Sequence, residues 1–215
     1  MLRTARTILC YVTDRRSLAP ELNGDLFPSI QAAISAGVDW IQIREKDLPT
    51  RSLLDLARKA VSSAAGKNTK ILINDRLDVA SASGADGVHL GGESAPVADV
   101  VHWCRAGNAP HGFLVGASCH NSQETLAAER DGADYLFFGP VFDTPSKLAY
   151  GPPQGLDRLA EICLKMRIPV LAIGGIRMEN SGDCVRRGAA GIAAIRLFQN
   201  SEDLPAIIDS LRQVK

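Results

Sequence analysis

The sequence predicts an α/β protein with a single domain, residues 1–215, folded as a (β/α)8 or TIM barrel. Short apolar runs alternate with helical patterns eight times along the chain, which is typical of βα units around a parallel sheet. Right-handed crossovers restrict such a chain to an open doubly wound sheet or a closed barrel. The length allows one sizeable core and is short for two domains.

The predicted strands are continuous apolar runs, a pattern typical of strands buried on both faces. They occupy residues 8–13, 40–44, 70–74, 87–90, 113–118, 135–141, 169–174 and 191–198. Amphipathic stretches predict helices at residues 26–36, 52–64, 122–130 and 155–166, and another helical pattern begins at Glu179. Similar short sequence motifs precede four strands. The glycine in each motif is expected to cap the helix before that strand: Gly37, Gly84, Gly132 and Gly188.

Composition argues against several classes of partner and site. The chain has 24 Lys and Arg against 24 Asp and Glu, so no net charge draws it to nucleic acid. No apolar run approaches the length of a membrane span or of a secretory signal, which predicts a cytoplasmic protein without a membrane partner. The five cysteines include no Cys-x-x-Cys pair, so zinc and redox sites are not expected. A homo-oligomer stays open as an alternative to a monomer.

The second predicted strand ends in a group of polar residues that suits an anion. Chemistry in a barrel takes place where the strands end, so these positions are the first candidates for a site. Alternation along the strand puts Gln42, Arg44 and Lys46 on one face. Two cations and an amide on one face form a clamp for an anionic group.

The next strand ends offer a carboxylate and two histidines. Asp75 follows the third strand, where it can cap the next helix or hold a hard cation such as Mg²⁺. His89 lies below a glycine turn, a position typical of a packed, hydrogen-bonded histidine. Ser118 and His120 end the fifth strand, where they could orient and protonate a ligand. No Gly-x-Ser-x-Gly elbow surrounds Ser118, which argues against a serine hydrolase.

The last three strand ends suit phosphate groups. The loop after the sixth strand carries Thr144, Ser146 and Lys147 between prolines, a stiff polar segment suited to phosphate oxygens. Candidates at the seventh and eighth strand ends are Gly174, Gly175, Ile195 and Arg196. Together the strand ends predict a diphosphate bound with Mg²⁺ and a separate monophosphate. Apart from His120 no general base stands out, which favours departure of pyrophosphate over hydrolysis.

Six phrases of the chain resemble the thiamine phosphate synthase family, whose superfamily also includes the thiazole tautomerases. The resemblance extends over nearly the whole chain, and its phrases are residues 11–15, 42–46, 74–76, 85–91, 139–147 and 172–176. It implies a transferase of thiamine biosynthesis that couples hydroxymethylpyrimidine diphosphate to a thiazole phosphate and releases pyrophosphate. A thiazole tautomerase or a non-catalytic phosphate-binding paralogue is the alternative.

The resemblance also implies roles for individual residues. The pyrimidine diphosphate would be held by Gln42, Arg44, Lys46, Asn74 and Lys147. Asp75 would bind Mg²⁺, and Ser118 would contact the departing pyrophosphate. The thiazole phosphate would be held by Thr144, Ser146, Gly175 and the end of the eighth strand.

Two positions depart from the family pattern. After residues 89–91 the family typically has Gln-Glu-Asp, in which the Asp is a second Mg²⁺ ligand, whereas this chain has Gly92, Glu93 and Ser94. A serine supplies no charge, so metal affinity should fall unless Glu93 substitutes. At the end of the eighth strand the family usually has a serine that binds phosphate, and this chain has Arg196. The arginine would either bind that phosphate more strongly or fill its space.

Overall fold

Eight parallel strands close into a barrel in chain order in the computed structural model, which describes residues 6–18, 24–144 and 152–213. The strands are β1 (Ile8–Val12), β2 (Trp40–Ile43), β3 (Lys70–Asn74), β4 (Gly87–Leu90), β5 (Leu114–Cys119), β6 (Tyr135–Phe138), β7 (Val170–Ile173) and β8 (Gly191–Ala194). Each strand pairs with the next, and β8 pairs with β1 through Cys10 and Ala193. The predicted fold class is confirmed.

Helices follow the strands around the outside of the barrel. They are α1 (Phe27–Ala36), α2 (Thr50–Ala64), α3 (Leu77–Ser83), α4 (Val97–Trp103), α5 (Ser122–Arg130), α6 (Gly155–Lys165), α7 (Met178–Arg186), α8 (Arg196–Gln199) and α9 (Leu204–Gln213). The glycines expected to cap helices all have positive φ angles: Gly37, Gly84, Gly132 and Gly188. Within the described residues, no helix is both long enough and apolar enough to cross a membrane.

The eighth strand is shorter than predicted. The sequence predicted a strand over residues 191–198, but β8 ends at Ala194 and Arg196 begins the short helix α8. The apolar residues of this helix pack inward, and Phe198 is buried against Tyr11 with ring centroids 6.3 Å apart. A continuous apolar run in the sequence therefore covers a strand and a buried helical turn, which periodicity alone does not separate.

Aromatic rings fill the interior of the barrel. The interior cluster consists of Cys10, Val12, Leu72, Tyr135, Phe137, Leu171 and Ala193, with further side chains packed around it. Tyr135 lies across β5, where a Cβ on Gly116 would come within 2.0 Å of the tyrosine Cζ. Glycine is required at this position because any side chain would occupy the space of the ring. The barrel is a packed core whose open polar end is the mouth at the strand carboxyl termini.

Three aspartates at the opposite end of the barrel clamp neighbouring strands. Asp39, just before β2, accepts a hydrogen bond from the Leu9 N–H at 2.8 Å and donates its own N–H to the Leu9 carbonyl at 3.1 Å. Asp86 holds Ile71 and Asp134 holds Val115 in the same two-point way. Each contact satisfies both backbone groups of a strand residue at the closed end of the barrel.

We expect Asp39→Ala to lower the free energy of unfolding by about 2–3 kcal/mol, because it leaves the fully buried Leu9 N–H without its acceptor. It also removes the 2.6 Å contact that ties Arg212 of α9 to the barrel. Urea denaturation followed by circular dichroism measures the change. The matched control is Asp157→Ala, which removes an exposed partner of Arg187 and should leave the midpoint near the parent value. Equal midpoints for the two variants would contradict the clamp.

Candidate active site at the barrel mouth

Polar side chains from four neighbouring strands face the barrel interior near its open end. They are Gln42 on β2, Asn74 on β3, His89 on β4 and Ser118 on β5. Asn74 lies opposite His89 in the strand register, and their outward neighbours, such as Ile73 and Leu90, belong to the outer core. The structure thus brings together the residues that the sequence singled out on these four strands.

An amide pair forms one wall of the mouth. Gln42 is only 2% exposed, and its Nε2 donates a hydrogen bond to the Asn74 Oδ1 at 3.0 Å. This bond fixes which way each amide faces, leaving the Asn74 N–H donors and the Gln42 carbonyl oxygen uncommitted among the described residues. The pair therefore presents donors and an acceptor side by side, as recognition of a nitrogen heterocycle requires.

Several cations that follow the strands have no carboxylate partner within residues 6–18, 24–144 and 152–213. They include the half-buried Arg44 and the exposed Lys46, Arg177 and Arg196. Arg76, after β3, is by contrast held by Asp78. Arg44 and Lys46 follow β2 directly. Because neither has a carboxylate partner among the described residues, their charge remains available to an anion.

A buried carboxylate supports the backbone of Arg44, and the sequence analysis did not identify it. Glu45 is 5% exposed and accepts a 2.7 Å hydrogen bond from the Thr13 hydroxyl. That hydroxyl in turn accepts the Arg44 backbone N–H at 3.0 Å. Burial raises the pKa of Glu45, and hydrogen bonds from Thr13 and the Arg15 backbone oppose this rise. The network joins β1 to the end of β2 and fixes the point at which the Arg44 side chain leaves the strand.

Asp75, which follows β3 directly, has an uncommon backbone conformation. Its φ angle of 65° is positive, which is uncommon outside glycine. Its backbone N–H is held by the His89 carbonyl at 2.8 Å. Helix α3 has no side-chain cap, so the capping role considered for Asp75 is wrong. Among the described residues its carboxylate makes no hydrogen bond or ion pair.

The donor set fits Mg²⁺ only in part. Ser94 Oγ accepts a hydrogen bond from the Gly91 N–H at 2.8 Å, so this hydroxyl serves the local turn. Glu93 is exposed on the same turn. No group of three or more metal-ligating side chains is found among the described residues. A single carboxylate, Asp75, fits a magnesium ion that takes its other ligands from water and substrate phosphates.

His89 joins a buried tyrosine to the candidate serine. Its Nδ1 lies 3.0 Å from the Tyr135 hydroxyl, and its Nε2 lies 2.8 Å from the Ser118 hydroxyl. Burial, and to a smaller degree the charge of Arg44, lowers the pKa of His89 to about 3, so the ring is neutral at physiological pH. The sequence predicted a packed, hydrogen-bonded histidine, which is confirmed, but it did not predict the two partners.

His120 and the β6 loop lie beside Ser118 in the fold. His120 Nδ1 donates to the Gly139 carbonyl at 2.5 Å, and its backbone N–H is held by Glu124 at 2.7 Å. The bond at Nδ1 leaves the Nε2 position of the ring for a ligand. Thr144 is half-buried at the start of the loop. Two other predicted residues of this loop, Ser146 and Lys147, lie outside the described residues.

The paired glycines after β7 are required by the β6 loop. A Cβ on Gly174 would lie 2.6 Å from the Pro140 Cα, and one on Gly175 would lie 2.6 Å from the Asp143 carbonyl oxygen. Both also have positive φ angles, 95° and 68°. The packing of this loop therefore explains the need for glycine, and their predicted approach to a phosphate stays a prediction.

The end of β8 differs from the expected strand terminus. Ile195 is the residue before helix α8 and packs against the interior cluster, while Arg196 is the first residue of that helix and is exposed. The side chain of Arg196 therefore leaves from a helical turn, so alternation along a strand does not set its direction. The binding of a phosphate by Arg196 stays a prediction.

Comparison with known proteins connects this site to a family, as the resemblance implied. The chain is 44% identical over 187 residues to a relative from Geobacter sulfurreducens, covering 87% of this chain and 84% of that protein. It is 41% identical over 182 residues to the thiamine-phosphate synthase of Methanocella arvoryzae, covering 85% and 84%. The solved thiamine phosphate pyrophosphorylase from Pyrococcus furiosus matches with a TM-score of 0.82 and 35% identity, covering 96% of this chain and 94% of that one. Since the thiamine monophosphate synthase model also matches residues 9–198, the chain belongs to the thiamine monophosphate synthase family.

Proposed function

We propose that this protein is a thiamine-phosphate synthase, a transferase that joins hydroxymethylpyrimidine diphosphate to a thiazole phosphate. The observation that carries the proposal is the pairing of uncommitted cations with an ordered amide pair at one mouth. Arg44 and Lys46 follow β2 with no carboxylate partner in the described residues, next to Gln42 and Asn74. This combination suits a substrate with a diphosphate at one end and a nitrogen heterocycle at the other.

The proposed reaction breaks one bond and forms one. The bond between the pyrimidine methylene carbon and the diphosphate oxygen breaks, and pyrophosphate leaves with the electron pair. The thiazole nitrogen then donates its lone pair to the pyrimidine carbocation and forms the new carbon–nitrogen bond. Negative charge grows on the departing oxygen during the first step, so cations fixed at that point stabilise the transition state more than the substrate.

The proposal also assigns a substrate contact to each of the other predicted residues. Ser118 and Lys147 would contact the departing pyrophosphate, and His120, two residues after Ser118, would serve proton transfer or orientation. The thiazole phosphate is held at the last three strand ends by Thr144, Ser146, Gly174, Gly175, Ile195 and Arg196. The substrates are phosphorylated and do not cross a bilayer unaided, which supports a cytoplasmic location.

Magnesium is the proposed cofactor, and Asp75 is the residue that would hold it. When bound, Mg²⁺ neutralises charge on diphosphate oxygens. The positive φ angle of Asp75, and a carboxylate without a hydrogen bond or ion pair in the described part of the chain, support this role. With Ser94 engaged in its own turn, the protein supplies one carboxylate, and the substrate diphosphate would complete the ligand set.

The direct test is incubation of the purified protein with both substrates, with and without Mg²⁺, and detection of thiamine phosphate and pyrophosphate. We expect both products in equal amounts and only with the metal. Thiazole isomerisation without coupling would instead identify a tautomerase. Phosphate binding without turnover would identify a non-catalytic paralogue.

We expect Arg44→Gln to lower kcat/KM by about a hundredfold or more, because it removes a fixed cation from the developing pyrophosphate charge. Steady-state rates of pyrophosphate release measure the effect. Arg130→Gln is the matched control, since Arg130 is exposed on α5 and pairs there with the neighbouring Asp131. A parent-like rate for Arg44→Gln would remove this residue from the mechanism.

Asp75→Asn should raise the Mg²⁺ concentration needed for half-maximal rate by about tenfold or more, since it removes the charged ligand and keeps the shape. Calorimetric titration of Mg²⁺ in the presence of pyrophosphate reads metal binding without turnover. Glu93→Gln neutralises the exposed carboxylate of the neighbouring turn and should leave the midpoint unchanged. The reverse ranking of the two variants would assign the metal to Glu93.

A further inference from the structure

A buried hydrogen-bonded chain runs from the packed centre of the barrel to its mouth. The hydroxyl of Tyr135, the imidazole of His89 and the hydroxyl of Ser118 follow one another at 3.0 Å and 2.8 Å. Tyr135 and His89 are each 1% exposed, whereas Ser118 is half-buried at the strand end. Only the serine end of the chain therefore reaches a ligand.

We infer that Tyr135 fixes the His89 ring in the Nε2–H tautomer, so that His89 donates to Ser118 and Ser118 must direct its own proton outward to an anionic oxygen of the substrate. His89 is then a positioning residue that acts through Ser118. The role of Ser118 toward substrate rests on the proposed function, whereas the order of the hydrogen bonds does not.

The direction of the chain follows from the tyrosine. Among the described residues, His89 Nδ1 is the only hydrogen-bond partner of the Tyr135 hydroxyl. If the tyrosine accepted from Nδ1–H, its own proton would be buried with no acceptor, an arrangement that folded proteins rarely contain because an unsatisfied buried donor is costly. The tyrosine remains protonated, because burial raises its pKa well above the ordinary value. It therefore donates to Nδ1, and a neutral imidazole carries its single proton on Nε2.

The packing around His89 holds the ring in this arrangement. Its ring centroid lies 4.1 Å from that of Phe137 and 5.5 Å from that of Tyr135, and both ring pairs are tilted. A ring that is 1% exposed and packed against these neighbours cannot rotate to exchange its nitrogens without displacing the surrounding side chains. The two hydrogen bonds and this packing therefore specify a single orientation and a single tautomer.

The direction of the hydrogen bond between His89 and Ser118 distinguishes Ser118 from the nucleophilic serine of a hydrolase. In a hydrolase the histidine accepts the serine proton through an unprotonated nitrogen. Here the nitrogen that faces Ser118 carries a proton, so it cannot take another without becoming a buried cation. The Ser118 oxygen therefore accepts a hydrogen bond from His89, and its own hydroxyl proton remains to be donated. A negatively charged oxygen of the departing pyrophosphate is a suitable acceptor for that proton.

The first experiment reads the tautomer directly. Long-range ¹⁵N–¹H correlation spectra of ¹⁵N-histidine-labelled protein distinguish protonated from unprotonated ring nitrogens, and the signals absent from His89→Gln assign the residue. We expect Nε2 protonated and Nδ1 unprotonated. Tyr135→Phe should shift the Nδ1 resonance, whereas Tyr11→Phe, which removes a buried hydroxyl bonded to Gln199, should leave it at the parent position. A protonated Nδ1 in the parent protein would overturn the inference.

The second experiment separates a donor from a base. Gln at position 89 offers an N–H near the Nε2 position but is not basic, so His89→Gln should keep kcat within about tenfold of the parent. His89→Leu should lower kcat about a hundredfold, Ser118→Ala should lower it by a similar factor, and the double variant should be no slower than either single one. Equal losses for Gln and Leu at position 89, or losses that multiply in the double variant, would contradict a positioning role through Ser118.

The two proposals fail separately. If the parent protein forms no thiamine phosphate, the proposed function is wrong, while the nuclear magnetic resonance result still decides the tautomer. If coupling is observed and Nδ1 carries the proton, the function stands and the inferred direction of the chain is wrong.

Discussion

Strand register is the constraint on which the mouth of this barrel depends. Side chains on parallel strands alternate between the interior and the surrounding helices, so neighbouring strands contribute to one site only when their alternation is in phase. Asn74 lies opposite His89, and Ser118 lies opposite Phe137. A shift of one residue in β4 would replace His89 with Val88 or Leu90 and leave Tyr135 and Ser118 without a common partner.

Much of this arrangement could be predicted from sequence because its causes are local. Apolar runs separated by helical stretches locate the strands, and the residues that end them are readable one strand at a time. Gln42 and Ser118 were identified in this way and Asn74 through the family resemblance, and the structure places all three at the same mouth. The error at β8 has the same origin, since an apolar run does not reveal where a strand gives way to a buried helical turn at Arg196.

Hydrogen-bond partners that are far apart in the sequence could not be predicted from local patterns. Tyr135 is 46 residues from His89, and Glu45 is 32 residues from Thr13, so their contacts exist only once the barrel has closed. A tyrosine in a buried strand looks like a core residue until its hydroxyl has a neighbour. A glutamate between Arg44 and Lys46 likewise suggests a solvated charge until β1 covers it. The role of a polar residue inside a closed barrel can be predicted only when its hydrogen-bond partner is known.

The aspartate clamps divide the barrel into two-strand modules. They join β1 with β2, β3 with β4 and β5 with β6, whereas Ala190 before β8 makes only the backbone half of the contact, with Val170. Among the described residues, the seams between β2 and β3 and between β4 and β5 carry no aspartate clamp at this end, although the Thr69 hydroxyl donates to the Val38 carbonyl across the first of them at 2.7 Å. Recombination with a related barrel would therefore preserve every clamp when the crossovers fall at those two seams, and would break one when they fall inside a module.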